Sequence, residues 1–327
     1  MWQDGVLNVN KPAGWTSHDV VAKLRKALGI PKIGHAGTLD PMATGVLPIL
    51  VGKATRLSEF LLDWDKEYEA VLRLGQTTDT QDATGTVIRD EVVHPLSVQS
   101  IVNVVAQFQG RISQLPPMYS AVKKNGVPLY RAARAGQTVE RTPRWVMIHQ
   151  LDVQSIQGTD VALRIRCSKG TYIRTLCADI GERLGVGGHL YQLTRVRVGP
   201  LEVKHALSLE QACLWNTQEG DQWMQAFLPM AQVLREFPAV VVPVERMRHV
   251  LNGRSLSLNA LPHGAEVEEN QVIQVVNEAG QLVGLGRGIR KNGQAREDGL
   301  ELKMIKVFMS PSGKTVSGTV LPADKEN

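Results

Sequence analysis

The stretch Gly34-His35-Ala36-Gly37-Thr38-Leu39-Asp40-Pro41-Met42-Ala43-Thr44-Gly45 constrains this chain more than any other. Three glycines, a histidine, an aspartate and a proline among twelve residues exclude a regular helix or an ordinary central strand. Glycine supplies backbone angles closed to other residues, and Pro41 pushes Asp40 out of helical geometry. The apolar run from Val46 to Val51 follows at once and reads as a buried strand, with Pro48 pointing to an edge or a bulge. Asp40 is therefore expected on a shaped loop leading into the core, a common place for catalytic groups. Aspartate is also a favoured turn former, so local chemistry alone leaves both readings open.

A chain of 327 residues is long for one core and suggests two domains, one larger than the other. Its hydrophobic fraction of 43% with 21% charged residues is that of a soluble globular protein. It has no apolar run of about 18 residues, the length a membrane helix needs. The first residues lack the basic-then-apolar pattern of a signal peptide, so the cytoplasm is expected. Cys167, Cys177 and Cys213 show no C-x-x-C spacing and read as buried thiols in a reducing compartment. The histidines do not fall at metal-ligand spacings, so a protein without metal or cofactor is expected. Nothing in the pattern demands more than a monomer. The net charge of +5 is compatible with a polyanionic partner, but the distribution of charge is more informative.

Residues 118 to 146 carry that bias: Lys123, Lys124, Arg131, Arg134, Arg141 and Arg144 stand against one acid, Glu140. Tyr119, Tyr130 and Trp145 interleave with them. Cations meet phosphates and rings meet bases, so the mixture suits RNA better than a plain solvated loop. Elsewhere periodicity predicts a strand from residue 5, a helix over 18–28 capped by Ser17, and a short helix over 55–62. An alternating strand over 66–75 points Tyr68, Ala70, Leu72 and Leu74 to one side. A Ser97-capped helix runs to Phe108, strands cover 145–156 and 160–167, and a helix ends at Leu184. Arg174 falls in the first turn of that helix, where the macrodipole disfavours a cation, so an acidic partner is expected. A strand over 187–197 follows, with Leu193 to Arg195 as candidate walls of a site. Residues 208–234 read as helical, and glycine-punctuated strands from residue 240 onward as a small barrel. The polar residues after about 310 read as a disordered tail.

Five motifs, in order, carry a family resemblance. They are Asn10-Lys11-Pro12-x-Gly14-x-Thr16-Ser17, the Asp40 loop, Asp65-Lys66-x-Tyr68, Thr78-Asp79-Thr80-x-Asp82-x-x-Gly85 and Ser168-Lys169-Gly170-Thr171-Tyr172-Ile173-Arg174-Thr175. Together they resemble the TruB family of tRNA pseudouridine synthases. The resemblance implies an α+β pseudouridine synthase fold: a mixed, largely antiparallel central sheet flanked by helices, with a C-terminal barrel of the PUA type. The implied domains are a catalytic one over 1–236, an RNA-gripping thumb at about 116–146, a PUA-like one over 237–310 and a tail over 311–327. The implied substrate is the T-arm of transfer RNA, with uridine 55 as target. Asp40 would be the nucleophile or base, Tyr68 the stacking platform and a candidate proton acceptor, and Arg174 the positioner of Asp40, lowering its pKa. His35 would fill the space left by a flipped base, and Asp82 would hold neighbouring cations in place. Lys11 would support the loop and count, with Tyr172, Lys123, Lys124, Arg131 and Arg134, among the RNA-contacting residues.

Two other classes compete. A retaining glycoside hydrolase also works at C1 of a sugar with carboxylates, but it needs a pair, and no motif sets a second acid beside Asp40. A non-catalytic RNA-folding protein would keep the basic stretch and the barrel yet have no need of Asp40 with Arg174. Synthesis and assistance to RNA folding can coexist in one protein.

Overall fold

The computed structural model describes residues 4–93, 96–120, 122–124, 126–137, 139–215, 221–257, 267–290 and 300–309. The tail expected after residue 310 lies outside the described residues. An eleven-stranded sheet dominates. Its main path runs Leu207–Ser208, Gly5–Lys11, Thr44–Val51, Gly188–Val198, Lys66–Leu74, Asp160–Cys167, Arg144–Gln157, Gly110–Gln114. Only two neighbouring pairs on it are parallel, Gly5–Lys11 with Leu207–Ser208 and Thr44–Val51 with Gly188–Val198. The mixed, largely antiparallel sheet expected from the resemblance is therefore present.

Alternation decides which face of each strand is buried. Along Lys66–Leu74, Tyr68, Ala70, Leu72 and Leu74 enter a core that also takes Leu163, Ile165, Leu190 and the helical Leu176 and Ile180. Helix Ser17–Leu28 packs Val20, Val21, Leu24 and Leu28 on Leu47 and Ile49. Fully burying each such side chain is worth about 1.5–3 kcal/mol. The N-cap of this helix is Thr16, not Ser17. Thr16 and Asp19 form a capping box, which frees the buried Ser17 hydroxyl for another partner.

Strand Thr44–Val51 is interior, against the edge or bulge expected from Pro48. Gly5–Lys11 accompanies it on one side throughout. On the other side Gly188–Val198 pairs only at Thr44 and Gly45, and Ile33–His35 pairs only at Ile49 to Val51. Pro48 falls between those two partners, and its carbonyl accepts from Ala36 N at 3.0 Å.

Residues 208–234 are not one helical stretch. Short helices Leu209–Cys213, Asp221–Ala226 and Met230–Val233 are interrupted by the strand Phe227–Pro229, which pairs with Gly5–Lys11. Trp215 stacks on Phe227 with centroids 4.9 Å apart, so these apolar residues serve packing around a strand. The 55–62 helix is likewise split into a 3-10 turn, Gly52–Leu57, and a short helix, Ser58–Leu62.

A second, five-stranded sheet runs Ala239–Val242, Val272–Asn277, Leu282–Ile289, Glu301–Val307, Leu256–Ser257. It has its own core of Val240, Val242, Ile273, Val275 and Leu302. It also docks on the larger domain. Leu285 and Phe308 join Leu50, Leu57 and Leu61, Arg56 lies over the Phe308 ring at 5.4 Å, and Lys306 pairs with Glu59 at 2.9 Å.

Candidate active site

The Asp40 loop is held from four directions, and each tie uses a backbone group that would otherwise be stranded in the interior. The Ser17 hydroxyl accepts from Leu39 N at 2.9 Å and donates to Leu39 O at 3.3 Å. Gly14 N donates to Pro41 O at 2.8 Å, and Ala43 N closes back on Asp40 O at 3.0 Å. The Lys11 ammonium donates to the carbonyls of Pro12, Trp15 and Pro41 at 2.9, 2.7 and 3.2 Å. The Arg195 guanidinium donates to Val46 O, Thr38 O and Gly37 O at 2.8, 3.3 and 2.9 Å.

Lys11 thus corrects an expectation. It is fully buried and spends its three N–H donors on carbonyls, two of the adjoining Pro12–Trp15 segment and one, Pro41, of the Asp40 loop, so it ties the two together and is not free to meet RNA. Burial brings its pKa down to about 8, with Asp40 pulling the other way.

Arg174 stands in the first turn of helix Ile173–Arg183, as the sequence places it. Tyr172 precedes that turn. Its backbone is gripped by the Gln114 amide, which accepts from Tyr172 N at 3.1 Å and donates to Tyr172 O at 3.2 Å. Arg174 Nη2 reaches Asp40 Oδ1 at 3.2 Å and donates to the Tyr119 carbonyl at 2.7 Å. Nη1 faces Asp82 Oδ2 at 3.5 Å. Asp82 is itself fixed, because its Oδ1 accepts from Thr80 Oγ1, Thr84 N and Thr84 Oγ1 at 2.8, 2.9 and 2.6 Å. The acidic partner demanded by the dipole argument is therefore two carboxylates bridged by one guanidinium.

The three charges differ in exposure. The side chains of Arg174 and Asp82 are 5% and 4% exposed, whereas that of Asp40 is 32% exposed. Burial still pushes the Asp40 carboxyl above the usual carboxylate range. Arg174 opposes the shift, Asp82 adds to it, and Lys11 and Arg195 pull it down. The expected lowering by Arg174 is real but is outweighed by desolvation.

Tyr68 projects from Lys66–Leu74 and is 8% exposed. The Arg195 guanidinium is its charged neighbour. Burial holds the phenol protonated, with a pKa of about 12, while Arg195 favours the phenolate. Proton acceptance by Tyr68 would draw on that neighbour. Arg195 thus links the aspartate loop to the aromatic wall. The sequence offered it only as one of three wall residues. The available signal was an arginine at an inward position of a strand otherwise pointing leucines inward, which implies a buried partner. Arg195→Met would strip the carbonyls of Gly37, Thr38 and Val46 of this donor and is expected to cost about 3 kcal/mol. Urea denaturation would read this as a lower midpoint with an unchanged slope.

His35 is half-buried, with its ring edge-on to His18 at 5.3 Å. Burial brings its pKa down to about 4, so the imidazole is neutral at neutral pH, as suits a packing role over acid–base work. The basic insertion lies between strands Gly110–Gln114 and Arg144–Gln157 as a two-strand hairpin, Lys123–Lys124 with Val127–Pro128, and the helix Leu129–Arg134. Lys124 and Arg131 are exposed, and Lys124 pairs with Glu140 at 3.5 Å. The side chains of Lys123 and Arg134 lie outside those described. Cys167, Cys177 and Cys213 are free thiols, the first two buried.

Comparison with known proteins fits this geometry. Residues 25–173 match the model of the TruB family pseudouridylate synthase N-terminal domain, and residues 174–247 match that of the tRNA pseudouridylate synthase B C-terminal domain. A protein of Syntrophotalea carbinolica named tRNA pseudouridine synthase B is 39% identical over 305 residues, 93% of this chain and 98% of that protein. One of the same name from Clostridium kluyveri is 38% identical over 306 residues, 94% of this chain and all of that protein. Among solved structures, a chain of a Cbf5-Nop10-Gar1 complex superposes with a TM-score of 0.72 at 29% identity, over 95% of this chain and 86% of that one. A chain of an H/ACA RNP bound to a substrate RNA containing 2'-deoxyuridine gives 0.70 at 27% identity, over 94% and 86%. With two family models meeting at Arg174 and relatives matched along almost their whole length, the chain belongs to the TruB family of pseudouridylate synthases.

Proposed function

We propose that this chain isomerises uridine 55 in the T-loop of transfer RNA to pseudouridine, with Asp40 as the essential carboxylate. The observation that carries this reading is the Asp40–Arg174–Asp82 array, in which only Asp40 keeps an open side. The reaction breaks the bond from ribose C1′ to uracil N1 and joins C1′ to C5, with no atoms gained or lost. The target base must leave its stack to be reached. An ionised carboxylate then either attacks C1′ or removes the 2′ proton, and both routes need one aspartate held still beside the sugar. Arg174 and the four loop ties hold it. Tyr68 offers a ring for the displaced uracil, and neutral His35 a surface to fill the vacated space. Lys123, Lys124, Arg131 and Arg134 grip the RNA backbone, and the second sheet is read as a PUA-like RNA-binding module over 237–310.

The test is an unmodified T-arm transcript incubated with the protein alone. Pseudouridine at the single position 55 is expected, and binding without conversion would overturn the proposal. The array also predicts a pH effect. Asp82 helps to raise the Asp40 pKa, so Asp82→Asn is expected to move the acid limb of the single-turnover rate to lower pH. The rate at neutral pH should fall roughly 10- to 100-fold, because Arg174 loses one of its two anchors. An unmoved or raised acid limb would show that the two carboxylates are not coupled through Arg174.

A further inference from the structure

Trp145 is an exposed large aromatic that the catalytic site leaves unused. It is 65% exposed, and the Arg111 guanidinium lies 4.6 Å from its ring centroid. The two residues sit on paired strands at the end of the sheet where the basic insertion returns: Arg144 is opposite Gln114, Trp145 opposite Ser113 and Met147 opposite Arg111. Met147 and Leu115 are also exposed. Ile148 enters the same core cluster as Tyr68, so strand alternation puts Trp145 and Met147 on the other face of the sheet. The ring therefore cannot serve the target base.

We infer that Trp145 and Arg111 form a second RNA-contact platform, on which a nucleobase other than the target stacks. The inference rests on the RNA-modifying reading given above. Charge selects this occupant over a protein surface. Arg111 and Arg144 have no carboxylate partner among the described residues, while Asp63 is taken by Lys169 at 2.7 Å. An apolar protein partner would have to bury the Arg111 cation uncompensated, which is costly. A nucleotide supplies both a π-face for the indole and a phosphate for the cations. The platform also continues the basic insertion, since Arg141 near its end donates to Pro116 O at its start at 3.1 Å.

The test compares equilibrium binding of full-length unmodified transfer RNA by the wild type, Trp145→Ala, Trp145→Phe and Arg111→Ala. Stacking on an aromatic ring implies that Trp145→Ala binds roughly tenfold more weakly. Trp145→Phe should retain most of the affinity. Arg111→Ala should reduce the slope of log affinity against log salt by about one. Single-turnover conversion at saturating RNA should be unchanged in all three, because none touches the reacting atoms. Wild-type affinity in Trp145→Ala would overturn the inference, and so would a Trp145→Ala change confined to self-association, measured by light scattering. A wild type that binds but does not convert would sink the synthase reading without removing the affinity difference, so the two failures are distinguishable.

Discussion

Asp40→Asn is expected to bind transfer RNA as the wild type does and to make no detectable pseudouridine. Asparagine keeps the shape of the side chain and an oxygen for the 3.2 Å contact from Arg174. It cannot attack C1′ or take the 2′ proton. Removing the group that performs the chemistry costs on the order of 10⁴-fold or more, even where positioning and binding survive. Stability should move the other way. The folded state raises the Asp40 pKa above its unfolded value, so the folded state binds that proton more tightly. Stability from this group then rises as pH falls through the folded pKa, and at neutral pH the ionised carboxylate is a net cost. Asparagine removes the cost, so the melting temperature at neutral pH should be equal or higher. An inactive variant that is also clearly less stable would show Asp40 to be a structural turn residue, the other reading its sequence allows.

Much of this site is legible in the sequence because its groups violate local rules. An aspartate between two glycine-rich turns and a cation at a helix N-terminus both call for a partner, and they find each other across the fold. Asp82 is legible for a related reason: its segment is too polar for a strand and too irregular for a calcium loop. What stays hidden depends on tertiary burial. Thr16 and Ser17 are equally good caps one residue apart, and only packing decides which hydroxyl turns inward to Leu39. A lysine beside a Pro-Gly turn normally reaches solvent, and nothing local says that three carbonyls will close around Lys11. The apolar content of 208–234 resembles a helical face, but part of it exists to cover the strand that pairs with Gly5–Lys11. The strand order around Pro48 is likewise a property of the whole sheet.

Gly45→Ala is expected to be severely destabilising. Thr44–Val51 meets Gly188–Val198 through only two residue pairs, Thr44 with Thr194 and Gly45 with Arg195. A Cβ on Gly45 would lie 2.2 Å from Arg195 O and 2.8 Å from its carbonyl carbon and nitrogen. All three are backbone atoms, so no side chain can swing aside. The strands must part, and Arg195 would carry with it its bonds to Gly37, Thr38 and Val46 and its contact with Tyr68. The backbone angle adds strain of its own, since φ at Gly45 is +103°. Overpacking and left-handed strain together suggest a loss of roughly 3–5 kcal/mol. That is a large part of the 5–15 kcal/mol available to a typical domain. Gly14 provides the control. It also has positive φ, +82°, but a Cβ there meets nothing within 4 Å. Gly14→Ala should therefore cost only the left-handed strain, about 1 kcal/mol. Urea midpoints for the two variants isolate the steric part, and any folded Gly45→Ala protein should be catalytically impaired because its aspartate loop has lost Arg195. Equal midpoints would mean that the two strands do not approach as closely as described, and that the link from Tyr68 through Arg195 to the Asp40 loop is not what holds the site.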